Sequence, residues 1–540
     1  MRCEIRPLFL LLAAGLLVVS IAGYTALRAD DDRRGSQAEV DDYEARFAER
    51  ETRSRAMGSG TCARCHRGGA GYYREIEVAA DPSRREPMDE WDEWYGRGDG
   101  VHAMSYQRTL RSQASQDMAE LLGQSDDLGS AADGRADCLA CHAFGNDIPV
   151  HMRSGAFQVS DGISCEACHG RAGDWLRAHQ GRTWPDATRG EWLARGMYET
   201  RDLGAWAEKC LECHLGTADA HQRVTHRMMG AGHPPLTFEL ATDIDSVPKH
   251  WRDSRTQLDD EGSMYHVRLW AAGQAVALRE TMRQLLRSGP GAPDFALFDC
   301  YACHHEFAIW PVQDHGPEIE KRNRPGEPAW NESSWLVCRH LARAALPETT
   351  VRQFEDRLDG LRAALTLSNT DWRRVHAAAE ALERLAEELV VAVKARRFDR
   401  ETTRRILAGI TGDAENILRV GPLGADQAYR AIETLYVAGF EPAEDDEALT
   451  VIHRELREML YASRPGEART SQPWIPVLRQ FDREQFRRVM KRLNGTFTAR
   501  SQSAGNAHRD DSRRIATRRG PVAADLCQGE AVPADGVAGH

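Results

Sequence analysis

Cys165-Glu166-Ala167-Cys168-His169 is one of five Cys-x-x-Cys-His stretches between residues 62 and 304. The others are Cys62-Ala63-Arg64-Cys65-His66, Cys138-Leu139-Ala140-Cys141-His142, Cys210-Leu211-Glu212-Cys213-His214 and Cys300-Tyr301-Ala302-Cys303-His304. This spacing is that of a c-type haem attachment site. Two thiols add to the two vinyl groups of the porphyrin, and the adjacent histidine becomes the proximal ligand of the iron. The ten motif cysteines are therefore expected to bind the cofactor. His66, His142, His169, His214 and His304 are expected to bind iron, and the whole is expected to carry five covalently attached haem c groups.

Zinc is the competing chemistry, because paired Cys-x-x-Cys is also zinc-ribbon spacing. Cys138, Cys141, Cys165 and Cys168 could close one tetrahedral site. Against this, a histidine follows every second cysteine, the number of pairs is odd, and there are many further histidines to serve as second axial ligands. A Cys-x-x-Cys disulfide closes too short a loop to restrict the unfolded chain much. Of the 13 cysteines, ten lie in the motifs. Cys3 and Cys527 fall near the ends, and Cys338 in Trp335-Leu336-Val337-Cys338 reads as a small buried apolar residue.

Covalent haem attachment takes place outside the cytoplasmic membrane, so an export segment is expected. Arg2 and Arg6 precede an apolar run from Leu8 to Leu27, and Asp30-Asp31-Asp32 follows. Residues 1–30 thus read as a signal peptide or a retained N-terminal membrane anchor, which places the rest of the chain in the periplasm or on the outer membrane face. The formal charge of −12 has no basic run beside the motifs, which disfavours nucleic acid as a partner.

Residues 31–56 read as a charged stalk. Residues 57–330 hold all five motifs, roughly fifty residues per haem, too few for a core of protein side chains alone. The expected architecture there is an irregular multihaem cytochrome c domain, mainly α with sparse regular structure and short motif-bearing helices. Residues 331–500 change texture: apolar positions recur at three and four residues in Val351–Leu367, Asp371–Arg396, Glu401–Leu418, Asp426–Gly439 and Glu447–Tyr461. That pattern predicts an all-helical bundle, with breaks at Leu346-Pro347, Gly421-Pro422, Glu441-Pro442 and Arg464-Pro465. Residues 501–540 are polar and Gly/Ala-rich, the composition of a disordered tail.

Each iron has a second axial position. His102, His179, His226 and His233 are the expected distal ligands. His102 follows the Gly-rich turn Gly96–Gly100, His179 lies shortly after Trp175, and His226 and His233 flank Met228-Met229-Gly230-Ala231-Gly232. His151, His221, His250 and His266 are further candidates. His305 follows His304 directly, so its side chain should point away from that iron.

These segments resemble the cytochrome c-554 family of multihaem cytochromes. The resemblance rests on Gly162-Ile163-Ser164-Cys165-Glu166-Ala167-Cys168-His169-Gly170 followed by Trp175-Leu176 and His179. It extends to His226–Pro234 leading into Phe238-Glu239-Leu240 and Pro248–Trp251, to Phe298–Glu306, and to His102-Ala103-Met104. It covers about residues 57–330 and implies a periplasmic electron carrier with mostly bis-histidine haems, one of which is five-coordinate in the tetrahaem prototype. That prototype takes electrons from hydroxylamine oxidoreductase; five motifs and a helical extension set this chain apart from it.

Two functions follow from the motifs. The first is relay of electrons between a donor and an acceptor protein, which needs no catalytic side chain. The alternative is an oxidoreductase acting on a small inorganic nitrogen or sulfur compound at a haem with an open axial position. All five motifs end in histidine, with no Cys-x-x-Cys-Lys variant, and the distal candidates suffice to fill every iron. Both facts favour the relay.

Overall fold

The computed structural model describes residues 53–66, 100–124, 136–181, 183–184, 188–217, 222–246, 264–289, 291, 293–300, 328–441, 446–461 and 481–518. Among these residues there is no β-strand; Ala56 and Arg153, and Phe298 and Trp330, form isolated bridges. The mainly α expectation holds.

Four motifs ride on short helices: α1 (Ser59–His66), α3 (Ala136–His142), α4 (Cys165–His169) and α6 (Leu203–His214), with α2 (Gln113–Leu122) and α5 (Arg189–Leu193) between them. Next come α7 (His226–Ala231), α8 (Leu240–Ser246) and the 24-residue α9 (Met264–Arg287). The bundle continues with α10 (Cys338–Ala345), α11 (Glu348–Ala364), α12 (Trp372–Ala395), α13 (Arg400–Thr411), α14 (Ala414–Arg419) and α15 (Gly421–Phe440). It ends with α16 (Glu447–Thr450), a π-helical turn at Val451–Leu456, α17 (Arg457–Tyr461) and α18 (Arg483–Arg518).

The heptad-like stretches fold as helices whose ends obey local chemistry. Asp371 and Asp399 cap α12 and α13 by accepting from the N–H groups of Arg374 and Thr402. Pro347 starts α11 where it has no N–H to lose. The predicted helix Glu401–Leu418 is two helices, since the chain turns at Gly412-Asp413 to begin α14. Cys338 is fully buried, as its apolar neighbours require, and burial drives its thiol pKa upward.

The structure departs from the sequence reading in three places. The domain boundary at residue 331 is not a break in packing. Helix α9 lies inside the supposed haem domain, yet it packs along α12 at the centre of the bundle. A single apolar core runs from Leu203 on α6 through α8 and α9 to Phe497 on α18. Helix α9 escaped notice because it is buried nearly all round, with Trp270, Ala271, Ala275 and Val276 at or near zero exposure, so it shows no clean polar face. Second, the end of the stalk is woven into the haem region. Ala56 exchanges backbone bonds with Met152 (2.9 Å) and Ser154 (2.8 Å), and Gly173 N–H donates to the Arg55 carbonyl (2.9 Å). Third, α18 continues to Arg518, so the first part of residues 501–540 is helical rather than an unstructured tail. The polar composition read there does not oppose a helix already nucleated by the buried turns around Phe486, Met490, Leu493 and Phe497.

The apolar run Leu8–Leu27 lies outside the described residues, and among those described no helix is long and apolar enough to cross a membrane.

Candidate haem centre

The four described motif helices meet. Helix α1 packs on α4 and α3 on α6. The thiols of Cys62 and Cys165 lie within hydrogen-bond contact, as do those of Cys141 and Cys213. Cys168 lies close enough to Cys210 to raise its pKa electrostatically, after burial itself. The motifs therefore follow one another in space in the order first, third, fourth, second. Burial pushes the Cys168 thiol up to about 11, so it is an uncharged S–H at neutral pH. No described cysteine is in a disulfide, and no group of three or more His, Cys, Asp or Glu side chains among the described residues converges as a metal site. The zinc alternative would have united Cys138, Cys141, Cys165 and Cys168, whereas the thiol contacts run Cys62 to Cys165 and Cys141 to Cys213.

Facing the motif histidines are histidines from distant segments. The rings of His66 and His179 lie parallel (13°) with centroids 6.3 Å apart. His142 faces His233 at 6.4 Å and His214 faces His102 at 5.9 Å, both pairs at steep interplanar angles. Two imidazoles bound to opposite sides of one metal, each nitrogen about 2 Å from it, have centroids roughly 6 Å apart. The gaps thus fit an iron between each pair.

Proton placement agrees. The Nδ1 of His179 is 2.6 Å from the Leu176 carbonyl, and that of His233 is 2.7 Å from the Pro234 carbonyl. A carbonyl only accepts, so in each ring Nδ1 carries the proton and Nε2 is left with its lone pair for a metal. Burial pushes His102 and His142 down to about 4, with His214 and His233 respectively adding to the effect. Burial likewise lowers His179, His214 and His233. These imidazoles are neutral at pH 7, the form that binds iron. The indole N–H of Trp175, buried edge-on against His179 at 5.2 Å, has no acceptor among the described residues, which suits a bound group that supplies one. The residues present therefore fit haem c: cysteines to attach it and histidines on both sides of the iron.

The local sequence explains how these residues are placed. Gly162 takes φ +66°, and a Cβ there would lie 2.6 Å from the Ala103 carbonyl oxygen and 2.9 Å from that of His102. Only glycine lets the approach to the third motif touch the His102 segment, which Ile163 N–H then bonds through the His102 carbonyl (3.0 Å). Thr225 caps α7 by accepting from Met228 N–H, and α7 turns at Gly232 to present His233. Glu166, inside the third motif, is buried. Its carboxylate accepts from the N–H groups of Met57 (2.9 Å), Gly58 (2.7 Å) and Ala172 (2.7 Å), fastening the approach to the first motif onto the third. Glu166→Ala leaves three buried N–H groups without acceptors and should cost about 3 kcal/mol, read as a lower denaturant midpoint of the holoprotein. An unchanged midpoint would show that water replaces the carboxylate.

Of the four leading distal candidates, His102, His179 and His233 stand opposite motif histidines. The partners differ from any sequence neighbour: His179, ten residues after His169, faces His66. His226 is solvent-exposed and packs on Phe295 at 5.3 Å, its N–H held by Asp294 (2.9 Å). That sets it beside the segment that leads to Cys300. Cys303, His304 and His305 lie outside the described residues, as do His221 and His250. His151 is exposed, and His266 lies 3.3 Å from Asp245 as an ion-pair partner when protonated. Sequence reasoning missed Glu166, whose place between two cysteines hid a structural role, and Phe238, which stacks on His214 with centroids 4.8 Å apart at 28°.

Cys-x-x-Cys-His motifs brought together and faced by neutral histidines are the features of a multihaem c-type cytochrome. The comparison with protein families agrees: residues 61–170, which contain the first three motifs, match the model for cytochrome c554 and c-prime. No curated protein and no solved structure matches the chain.

Proposed function

We propose that this chain is an exported electron relay carrying five haem c groups, mostly held by two histidines each, that passes electrons between a donor and an acceptor protein. The opposed histidine pairs carry the reading, because an iron with both axial positions filled has no site for substrate. Bound haem supplies a reversible one-electron couple. The chain's own part is to line the attachment sites up in the order first, third, fourth, second, to exclude water from the ligand rings, and to keep those rings neutral and oriented. His66 with His179, His142 with His233 and His214 with His102 are the proposed axial pairs, and His226 is proposed for the iron of His304, on the strength of its place beside Phe295. The apolar run at Leu8–Leu27 supports export, as a removed signal or a retained anchor.

Mass spectrometry of the mature protein should show five haems. His233→Ala should turn about one haem in five high-spin and able to bind cyanide, and His179→Ala and His102→Ala should do the same to different haems. His151→Ala should change nothing. An all-low-spin spectrum in the His233 variant would remove that pair. Cyanide or nitric oxide binding, in the unmodified protein, at any of the four irons paired here would move the function to the enzymatic reading.

A further inference from the structure

Resting on the reading of His214 as an iron ligand, we infer that the helical bundle sets the electronic state of the fourth haem, with Gln427 on α15 as the positioning residue acting through Phe238. Phe238 lies flat on the His214 imidazole, 4.8 Å between centroids and 28° between planes. An imidazole bound to iron through one nitrogen stands upright on the porphyrin, so its face is open to such stacking while its edge is committed to the metal. The remaining freedom is rotation about the iron–nitrogen bond. That angle decides how the ring's π orbital splits the iron d levels, and contacts outside the ligand shell fix it. A phenyl ring pressed on the imidazole face blocks that rotation.

What holds Phe238 comes from the bundle. Gln427 Nε2 donates to the Phe238 carbonyl at 2.7 Å. Its Oε1 in turn accepts from Gln274 Nε2 on α9 at 3.2 Å. Both glutamines are buried, at 1% and 2% exposure, and the Gln427 amide is bonded at both its oxygen and its nitrogen, as a buried amide requires. One helical turn further along α15, Arg430 Nη1 donates to Asp243 at 2.7 Å, and Asp243 accepts from Glu239 N–H at 2.9 Å. The stretch from Phe238 to Asp243 is thereby clamped at both ends by one face of α15. The close approach is built in on the α9 side too, where a Cβ on Gly273 would lie 2.8 Å from the Leu240 Cβ. A scaffold that only shielded the haems would not need a buried amide chain aimed at the residue stacked on an axial ligand.

The test is electron paramagnetic resonance and potentiometry on the holoprotein. Gln427→Met keeps length and volume but can neither donate to Phe238 nor accept from Gln274. It should shift the g-values of one low-spin ferric signal and the midpoint potential of one haem, leaving the others in place. Phe238→Leu should reproduce the same shift, Phe238→Tyr should restore the original signal, and the double variant of Gln427→Met with Phe238→Leu should move it no further. If Gln427→Met does not accumulate, Phe238→Leu against Phe238→Tyr decides alone. A lowered melting temperature with every signal and potential unchanged would reduce Gln427 to a structural residue and overturn the inference. The haem reading itself fails separately, if the unmodified protein shows no bis-histidine signals at all.

Discussion

Produced without haem attachment, the chain should come apart unevenly: α1, α3 and α4 should exchange their amides at the rate of unfolded peptide, while α6 and the bundle stay protected. The reason is where apolar side chains meet. Around the second motif the buried cluster is Leu110, Leu139 and Ala143, with Tyr106, Cys138 and Val159 against it. Helices of five to eight residues do not stand alone in water, and so small a cluster cannot offset the entropy of ordering the long connections between them. A porphyrin in each gap is what would supply the missing interior. Helix α6 is different. Leu203, Ala207 and Leu211 belong to the bundle core, and Glu208 reaches Arg279 of α9 at 3.0 Å. Lys394 of α12 meets Asp202 at its first turn, 2.6 Å away. Hydrogen exchange followed by mass spectrometry separates the cases. Protection factors rising together in all four motif helices of the haem-free protein would show that the haem region has a core of its own. Attachment of haem should raise protection mainly between residues 53 and 200, by orders of magnitude if stability there is tied to the cofactor as in small metal-dependent domains.

That asymmetry also separates what the sequence shows from what it hides. Each Cys-x-x-Cys-His motif is contiguous, so five residues suffice to read the proposed attachment cysteines and proximal histidine. The bundle helices α11 and α12 are legible because one face of each is solvated, which leaves a period of three and four in the apolar positions. The central helix α9 has no such face, so its sequence, rich in alanine with a glycine at 273, carries no period to read. The proposed distal ligands are a different matter. His66 and His179 meet across more than a hundred residues, and nothing local at either position encodes the other. The neighbours that mark His179 and His233 in the sequence find their use in the fold: Trp175 packs on His179, and Gly232 makes the turn before His233. The mark on His102, the turn Gly96–Gly100, lies outside the described residues save Gly100, and the glycine that lets the chain approach His102 is the distant Gly162. The mark that His226 shares with His233 leads to an exposed ring beside Phe295. Glu166 and Gln427 were silent because a polar residue gives no sign in sequence that its hydrogen-bond partners will be buried with it. The function of such residues exists only once segments far apart in the chain are assembled.

Replacing Glu332 by glutamine should destabilise the bundle by about 3–5 kcal/mol at pH 7, the largest loss expected of a single isosteric change outside the haem centre. Glu332 is fully buried between α11 and α14. Arg362 grips both its oxygens, at 2.6 and 2.5 Å, and Arg419 lies 2.7 Å from one of them. Burial alone would raise its pKa; Arg419 and Arg362 outweigh that and hold it down at about 2. The carboxylate is therefore more stable in the folded chain than in the unfolded one, where it titrates near 4.5. The sign follows by linkage. The contribution is complete above about pH 4.5, declines as pH falls through the interval, and is gone below about 2. A fall of this size is about 3 kcal/mol, similar to the cost of deleting the charge. Glutamine keeps the shape but leaves two guanidinium groups sharing a neutral acceptor in a site closed to water. Guanidinium-chloride unfolding of the holoprotein and the variant should give a wide gap at pH 7 that narrows toward pH 3, since acid does to the native residue what the substitution has already done. A gap that stays constant across that range would mean that Glu332 acts through packing and hydrogen bonds, with its charge contributing nothing to the bundle.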